Sequence, residues 1–593
     1  MGLYFNPQHN DAVLKIPYIK PDPTPFAVPP NPAENGWAAR SAWCVLHTAF
    51  GSGAHFLRTW AAWRADPQRP RILHYVALAA LEPDLKALSS ESSHPSMAAM
   101  VGALSAQWIG LTPGQHRLCF EGGQVLLTLC VGPRLLVLRQ QQFEADRVVL
   151  APILATEAPW DEWGAKALVR CCRRGTQLVV LDAQSDAPQW LRQCGCEFAD
   201  QDPRTTTLHG VFNPRWALKT TREPWRNAHA EPQSCAVIGA GIAGASVAAS
   251  LARRGWQVQV FDQASAPAAG ASALPVGLAA PHVSIDDCVL SRLSRVGVRL
   301  SLQQAATLLV EGHDWAPSGV CEHRFDDSAA QPLPTRWHPD AGWIKPAALV
   351  HAWLRHNNVT FHGGVMVHDL RRGDCGWTLL DCEGHVIATV ARVVLANAGG
   401  ALPLLRKAQG SQSTLAWGSH QLPAVYGVRG QVSWAVHDAP EQRPFPAGPV
   451  NGNGSLIPFV PFEGEQRWFV GASYQPLGKP EWPDDKNHGA NVLRLEKLLP
   501  TLSEALAPVF EAGALHTWKG VRCVTADRLP MLGSVLQDDP SLWICAGMGS
   551  RGLSYAPLCA ELLAAQWAGE PLPIEAALAQ SMNARRHRVH STP

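Results

Sequence analysis

A chain of 593 residues, 46% of them hydrophobic and 17% charged, is long enough for two to four domains that each bury a core. Its formal net charge of +1 excludes bulk charge as the means of holding a polyanion, so any such partner must meet a local basic patch. No run of about 18 apolar residues is present, and the opening MGLYFNPQHNDAVLKIPYIKPDP has no apolar secretory core, so a cytoplasmic chain without a membrane span is expected.

Residues 1–40 are proline-rich and read as irregular. From 41 to 212, strand-like and helix-like segments alternate. AWCVLHTAF is followed by a glycine turn at 51–53 and by helix-like AHFLRTWAAW; ILHYVALAAL, QVLLTLCVG, RVVLAPI and TQLVVLD are further strand candidates. The alternation predicts an α/β domain on a mainly parallel sheet. Residues 213–233, NPRWALKTTREPWRNAHAEPQ, lack apolar periodicity and carry Arg215, Lys219, Arg222 and Arg226, which reads as a basic linker.

Beyond the linker, SCAVIGAGIAGASVAASLARRGWQVQVFD reads as strand, glycine turn, helix, strand. CGWTLLD, ATVARVVLAN, RGQVSWAV and QRWFVGASY are later strand candidates. LWICAGMGSRGLSYAPLCAELLAAQWAG then returns to strand, glycine turn and helix. A nucleotide-binding domain over 234–593, with its parts at about 234–281, 391–400 and 520–570 and a substrate part between them, gives this order.

Gly239, Gly241 and Gly244 form G-x-G-x-x-G between a strand and a small-residue helix, and the next strand ends in Asp262. Gly239 permits the tight turn, Gly241 lets backbone approach a pyrophosphate, Gly244 lets helix and strand pack, and Asp262 is placed to bind a ribose hydroxyl. NAD and FAD share this fingerprint. The downstream elements favour FAD: VVLANAGG, with Gly399, returns the chain to the sheet, and GMGSRGL, with Gly549 and Gly552, opens a second helix whose positive end suits a reduced flavin.

GASALPVGLAAPH, GWIKPAAL, VRGQVS, FVGASY, GVRCVTADRLPMLG and GSRGLSYAPLCAELLAAQ, in that order, resemble the C-terminal oxidase of the MnmC family over about 234–580. The broader class is that of glycine oxidase and D-amino acid oxidase. The resemblance implies a tRNA partner and FAD-dependent removal of the carboxymethyl group from 5-carboxymethylaminomethyl-(2-thio)uridine 34, giving 5-aminomethyl-(2-thio)uridine. It also implies an FAD-binding Rossmann domain with an inserted antiparallel-sheet substrate domain. By the same resemblance Arg522 clamps the substrate carboxylate, Arg551 is a second contact, Tyr474 is a gate or phenolic donor, and Ala271 and Ser272 meet the cofactor. Positions 273–277, Ala-Leu-Pro-Val-Gly, depart from the family's Gly-Asn-Arg-Gln-Gly-like run, so backbone rather than side-chain contacts are expected there.

AFGSGAHFLRTW, PGQHRLCFEGGQVLLTLCVG and PWDEW resemble, more weakly, the family's N-terminal methyltransferase, a Rossmann-like domain that uses S-adenosylmethionine. The working residues differ. Ala79 stands where a carboxylate should hold the ribose diol, with Glu82 three residues on. Ala151-Pro152-Ile153-Leu154 replaces the catalytic Asp-Gly-Phe-Ala-Pro. Losing the base costs on the order of 10²–10⁴ in rate, so a degenerate domain without methylation is expected. The alternatives are a small-molecule oxidase of the glycine or sarcosine type and a non-catalytic tRNA-binding scaffold.

Fifteen scattered cysteines fit reduced thiols. Cys171-Cys172 and Cys194-Gly195-Cys196 lack the partners a metal site needs, so no metal is expected. Candidate phosphate contacts are Arg170, Arg173 and Arg174; Arg292, Arg295 and Arg299; Arg371 and Arg372; and Arg585, Arg586 and Arg588. Each cluster also reads as a solvated face.

Overall fold

A computed structural model describes residues 36–79, 95–108, 110–152, 158–199, 206–217, 230–324, 335–411, 422–437, 443–513, 515–537 and 539–586. Most of the N-terminal segment and of the linker, together with Glu82, Ile153, Leu154 and Arg588, lie outside these residues.

The first sheet contains β1 (Ala42–His47), β2 (Ile72–Ala79), β3 (Gly114–Phe120), β4 (Val125–Val131), β5 (Ala145–Leu150), β6 (Cys172–Val180), β7 (Cys196–Phe198) and β8 (Leu208–Phe212). Their order is β3-β4-β2-β1-β5-β6-β8-β7. The central five, β4-β2-β1-β5-β6, are parallel, while β3, β8 and β7 add antiparallel edges. Every residue of β2 and β4 is buried, as apolar strands must be when both faces of a parallel sheet are covered. Helix α1 (Ala54–Ala65) follows β1 through Gly53, whose φ of 78° is a left-handed turn that glycine adopts without strain.

The second parallel sheet draws on distant segments. Its strands are β9 (Ser234–Ile238), β10 (Gln257–Asp262), β11 (Val359–Gly363) and β12 (Arg392–Leu395), followed after the substrate part by β16 (Met531–Ser534) and β17 (Leu542–Ala546). The order is β11-β10-β9-β12-β17-β16, with only β16 antiparallel. Edge strand β11 lies outside the three segments assigned to this part from sequence. ATVARVVLAN, read as one strand, is two: Val386–Val390 joins a three-stranded antiparallel sheet and β12 enters the parallel one. The break falls at Ala391, whose N–H turns to the Ser234 carbonyl.

Helices α2 (Ile242–Arg253), α3 (Val289–Leu308) and α4 (Gly552–Ala568) pack together on this sheet around Trp256, Trp543 and Trp567. Small residues let α2 bury ten of its twelve positions. The intervening eight-stranded sheet is built around β13 (Val425–Val436), which pairs antiparallel with β14 (Glu465–Gly471) and β15 (His516–Thr525).

The halves meet along β3. Arg117, fully buried, donates to the Pro571 carbonyl at 2.7 Å, and Arg299 on α3 donates to the Gln107 carbonyl at 3.0 Å. Behind this contact, Arg254 bridges Glu570 at 2.8 Å and Glu561 at 3.2 Å, and His74 of β2 lies 3.3 Å from Glu570. All fifteen cysteines are free, and the two tight pairs are buried in the first core. Among the described residues no helix is long and apolar enough to cross a membrane.

Candidate active site

A cavity of about 1110 Å³ opens between the second parallel sheet and the β13–β15 face. Gly239 turns with φ 107°, and a Cβ there would lie 2.7 Å from the Ala396 carbonyl oxygen. A Cβ on Gly244 would lie 1.8 Å from the Gly239 carbonyl oxygen, so this glycine sets helix packing and does not line the cavity. Gly241 is extended, and Ser272 Oγ accepts from Ile242 N–H at 2.9 Å, which leaves the hydroxyl proton to donate into the cavity. Each Asp262 carboxylate oxygen accepts one backbone N–H, from Ala240 at 2.7 Å and Ala264 at 2.9 Å, and keeps a further lone pair.

Ala271, Gly549 and Gly552 also line the cavity. Gly399 does not: it is exposed, while Asn397, Ala398 and Gly400 on either side of it line the cavity. Asn397 Oδ1 is buried with no hydrogen-bond partner among the described residues. The N-termini of α2 and α4 converge, with a Cβ on Gly552 lying 3.2 Å from Ile242 Cγ2.

These residues fit FAD. A diphosphate needs a helix start that backbone can approach, which Gly241 gives at α2, and a hydroxyl donor, which Ser272 supplies there, while α4 starts without a side-chain cap and turns its positive end to the flavin part. The orphaned Asn397 oxygen offers a further polar contact. The volume exceeds the roughly 300–1,000 Å³ of ordinary small-ligand pockets, leaving room for a substrate beside a dinucleotide.

Arg522 lines the cavity from β15, beside the α4 start, where the Gly549 N–H donates to the Cys523 carbonyl at 2.8 Å. Its guanidinium lies over Gly430 of β13, where a Cβ would stand 2.6 Å from Nη2. No carboxylate pairs with it among the described residues. Burial holds its pKa below the ordinary value, opposed by the Tyr474 phenol beside it. Tyr474 is 48% exposed at the cavity wall. Arg551 sits at the N-cap of α4 and also lines the cavity.

Sequence reasoning missed Arg494, His282, Trp518 and Gly430, all in or against the cavity wall. Arg494 donates to Asn453 Oδ1 at 3.2 Å. Burial first, and then Arg551, hold His282 below its ordinary pKa, which favours its neutral ring. The cavity's Glu322 is engaged by His338 at 2.9 Å, which holds that carboxyl low. The available signal was glycine inside strand-like runs, VRGQVS and WKGVRC, which marks close approach of other groups.

In the first half, Ala79 ends β2 and is buried, and Ala151 follows β5 with its N–H on Thr48 Oγ1 at 3.0 Å. Neither strand end carries a carboxylate at these positions. Most of the basic clusters are internally engaged. Arg173 pairs with Asp146, Arg292 with Glu575, Arg295 with Asp287, Arg372 with Asp539 and Arg586 with Asp527.

The family model for FAD dependent oxidoreductases (DAO) matches residues 234–335 and 335–566. A tRNA 5-methylaminomethyl-2-thiouridine biosynthesis bifunctional protein MnmC from Albidiferax ferrireducens is 52% identical over 93% of this chain and 94% of its own length. The protein of the same name from Polaromonas naphthalenivorans is 44% identical over 91% of this chain and 90% of its own. Among solved structures, glycine oxidase from Geobacillus kaustophilus is 18% identical with a TM-score of 0.47, covering 61% of this chain and 100% of that one. With relatives this similar over nearly its whole length, the chain belongs to the MnmC family, and its second half is an FAD-dependent oxidoreductase of the DAO family.

Proposed function

We propose that this chain removes the carboxymethyl group from 5-carboxymethylaminomethyl-(2-thio)uridine 34 of tRNA, leaving the 5-aminomethyl nucleoside and glyoxylate. The observation that carries the reading is Arg522, a cavity guanidinium with no protein carboxylate to neutralise it among the described residues. The group to be removed is an N-substituted glycine, and a guanidinium fork matches both oxygens of its carboxylate. Arg551 is the candidate second contact and Tyr474 the candidate gate or donor.

Bound FAD supplies the two-electron acceptor for hydride from the glycyl Cα. The chain's own residues fix the carboxylate and keep the amine neutral. Arg522, Arg551 and Arg494 all line the cavity, and such a set of cations lowers the pKa of a bound amine. That frees the nitrogen lone pair to assist hydride departure, and water then cleaves the imine to amine and aldehyde. Gly239, Gly241, Asp262, Ala271, Ser272, Gly549 and Gly552 are the proposed cofactor contacts. Gly244 serves them indirectly, through packing.

We read residues 41–212 as a methyltransferase-like unit without methylation, 213–233 as its linker and 234–593 as the oxidase. Ala79 and Ala151, in the places of two carboxylates, support the first of these. A tRNA substrate carries with it a cytoplasmic location. The test is nucleoside mass spectrometry on carboxymethylaminomethyl tRNA incubated with protein, FAD and S-adenosylmethionine. The expected product is aminomethyluridine, absent with Arg522→Ala. Methylaminomethyluridine would overturn the reading of the first half, and untouched tRNA the whole reading.

A further inference from the structure

We propose that Trp518, together with the glycine pair Gly430–Gly520, forms a stacking subsite for the base of the wobble nucleoside. The inference rests on the tRNA reading above and names the group that holds the base while Arg522 holds the carboxylate.

In the β13–β15 ladder Gly430 stands directly opposite Gly520, and Val432 opposite Trp518. Opposite residues share a face, as do residues two apart on one strand, so Trp518, Gly520, Arg522 and Gly430 all face the same side. The glycine pair leaves a bare patch, and a side chain leans over it from each end. The Arg522 guanidinium lies over Gly430, with Nη2 at 2.6 Å from a Cβ placed there. The Trp518 indole lies over Gly520, with Cη2 at 2.4 Å from a Cβ placed there. Opposite Cβ positions are only about 5 Å apart, so guanidinium and indole are neighbours on one floor.

Trp518 is not a closed core residue. Trp434 and Trp468 are 6% and 0% exposed, whereas Trp518 is half-buried, packing on the Val432–Phe469 cluster and lining the cavity. Its indole N–H has no partner among the described residues. In the proposed substrate, carboxylate and base are joined by methylene, nitrogen and methylene. Ordinary bond lengths put the ring carbon about 5 Å from the carboxylate carbon. A base tethered that closely to a carboxylate on Arg522 must rest on what flanks Arg522, and an aromatic face is what an unstacked base accepts. A simple N-alkyl glycine has no base and gains nothing from Trp518.

The experiment uses the FAD-loaded full chain and its Trp518→Ala and Trp518→Phe variants. Fluorescence anisotropy gives the Kd for an anticodon stem-loop carrying carboxymethylaminomethyluridine, and flavin absorbance gives the rate and apparent Kd with sarcosine. The expected result is a Kd for the stem-loop weakened on the order of 10- to 100-fold by Trp518→Ala and largely restored by Trp518→Phe, with a much smaller change toward sarcosine. An unchanged stem-loop Kd overturns the subsite. So does an equal loss toward both substrates, which would make Trp518 a mere support for Arg522. A parent enzyme that turns over sarcosine but neither binds nor oxidises the stem-loop overturns the tRNA reading, and the subsite with it.

Discussion

A single missing side chain, at Gly430, decides where the Arg522 guanidinium can lie. The two residues sit on paired strands, and a methyl group at 430 would meet the guanidinium at 2.6–2.8 Å. That contact is too close for a carbon and a nitrogen, so the fork must swing off the patch. Gly430→Ala is therefore expected to raise KM for the tRNA substrate about 10-fold or more, since misplacing a clamp by about 1 Å can cost as much as 10² in rate. Thermal stability and flavin content should stay near those of the parent. Steady-state kinetics beside a melting curve checks this, and an unchanged KM would mean that Arg522 does not set substrate affinity.

At the scale of elements, the cofactor end depends on how closely α2 can lie on β9. Gly244→Ala would place a methyl 1.8 Å from the Gly239 carbonyl oxygen, a backbone atom that cannot move aside cheaply. Overpacking of this kind typically costs about 1–3 kcal/mol. The helix start shifts with it, so the variant should be purified with less flavin per chain, read from the ratio of flavin to protein absorbance, and should melt earlier. This part of the site was legible because its logic is local: three glycines, a strand and a helix lie within thirty residues of one another. Gly399 was misassigned because a strand ending in small residues does not tell which carbonyl or glycine turns inward. Trp518 and Gly430 were not legible as a pair because residues 425–434 meet 516–525 only through a non-local ladder. Local signals name the glycines but not what leans over them. The division at Ala391 escaped for a related reason: one apolar run serves two sheets, and its partners lie far away in sequence.

At the scale of the whole molecule, α2 and α4 begin at the cavity and lead, at their far ends, to the first half. Arg254 caps α2, Glu561 lies on α4 and Glu570 just beyond it, and His74 of β2 reaches Glu570. All four are buried, and removing Glu570 takes from Arg254 its 2.8 Å partner and leaves it only Glu561; breaking a buried pair in this way typically costs about 3–5 kcal/mol. Whatever chemistry it carries, the first half thus has a physical role, because it covers the ion pairs at the far ends of α2 and α4. Glu570→Ala should split one calorimetric transition into two and weaken FAD binding, measured by recovery of free-flavin fluorescence on dilution. Acid should act on the same contact. Burial holds His74 below its ordinary pKa, opposed by Glu570, so its neutral burial is penalised once pH falls below about 6.5, where the unfolded imidazole takes up a proton. Arg254 and His74 outweigh burial and hold Glu570 at about 2, so its contribution is present above the unfolded carboxylate's pKa and is lost as pH falls through about 2. Stability of the parent should therefore decline from about pH 6.5 downward and fall more steeply below about pH 4.5. In Glu570→Ala the fall below about pH 4.5 should be shallower, since Glu561, which its arginine partners also hold low, still contributes, and identical acid profiles for the two proteins would mean that this network does not join the halves.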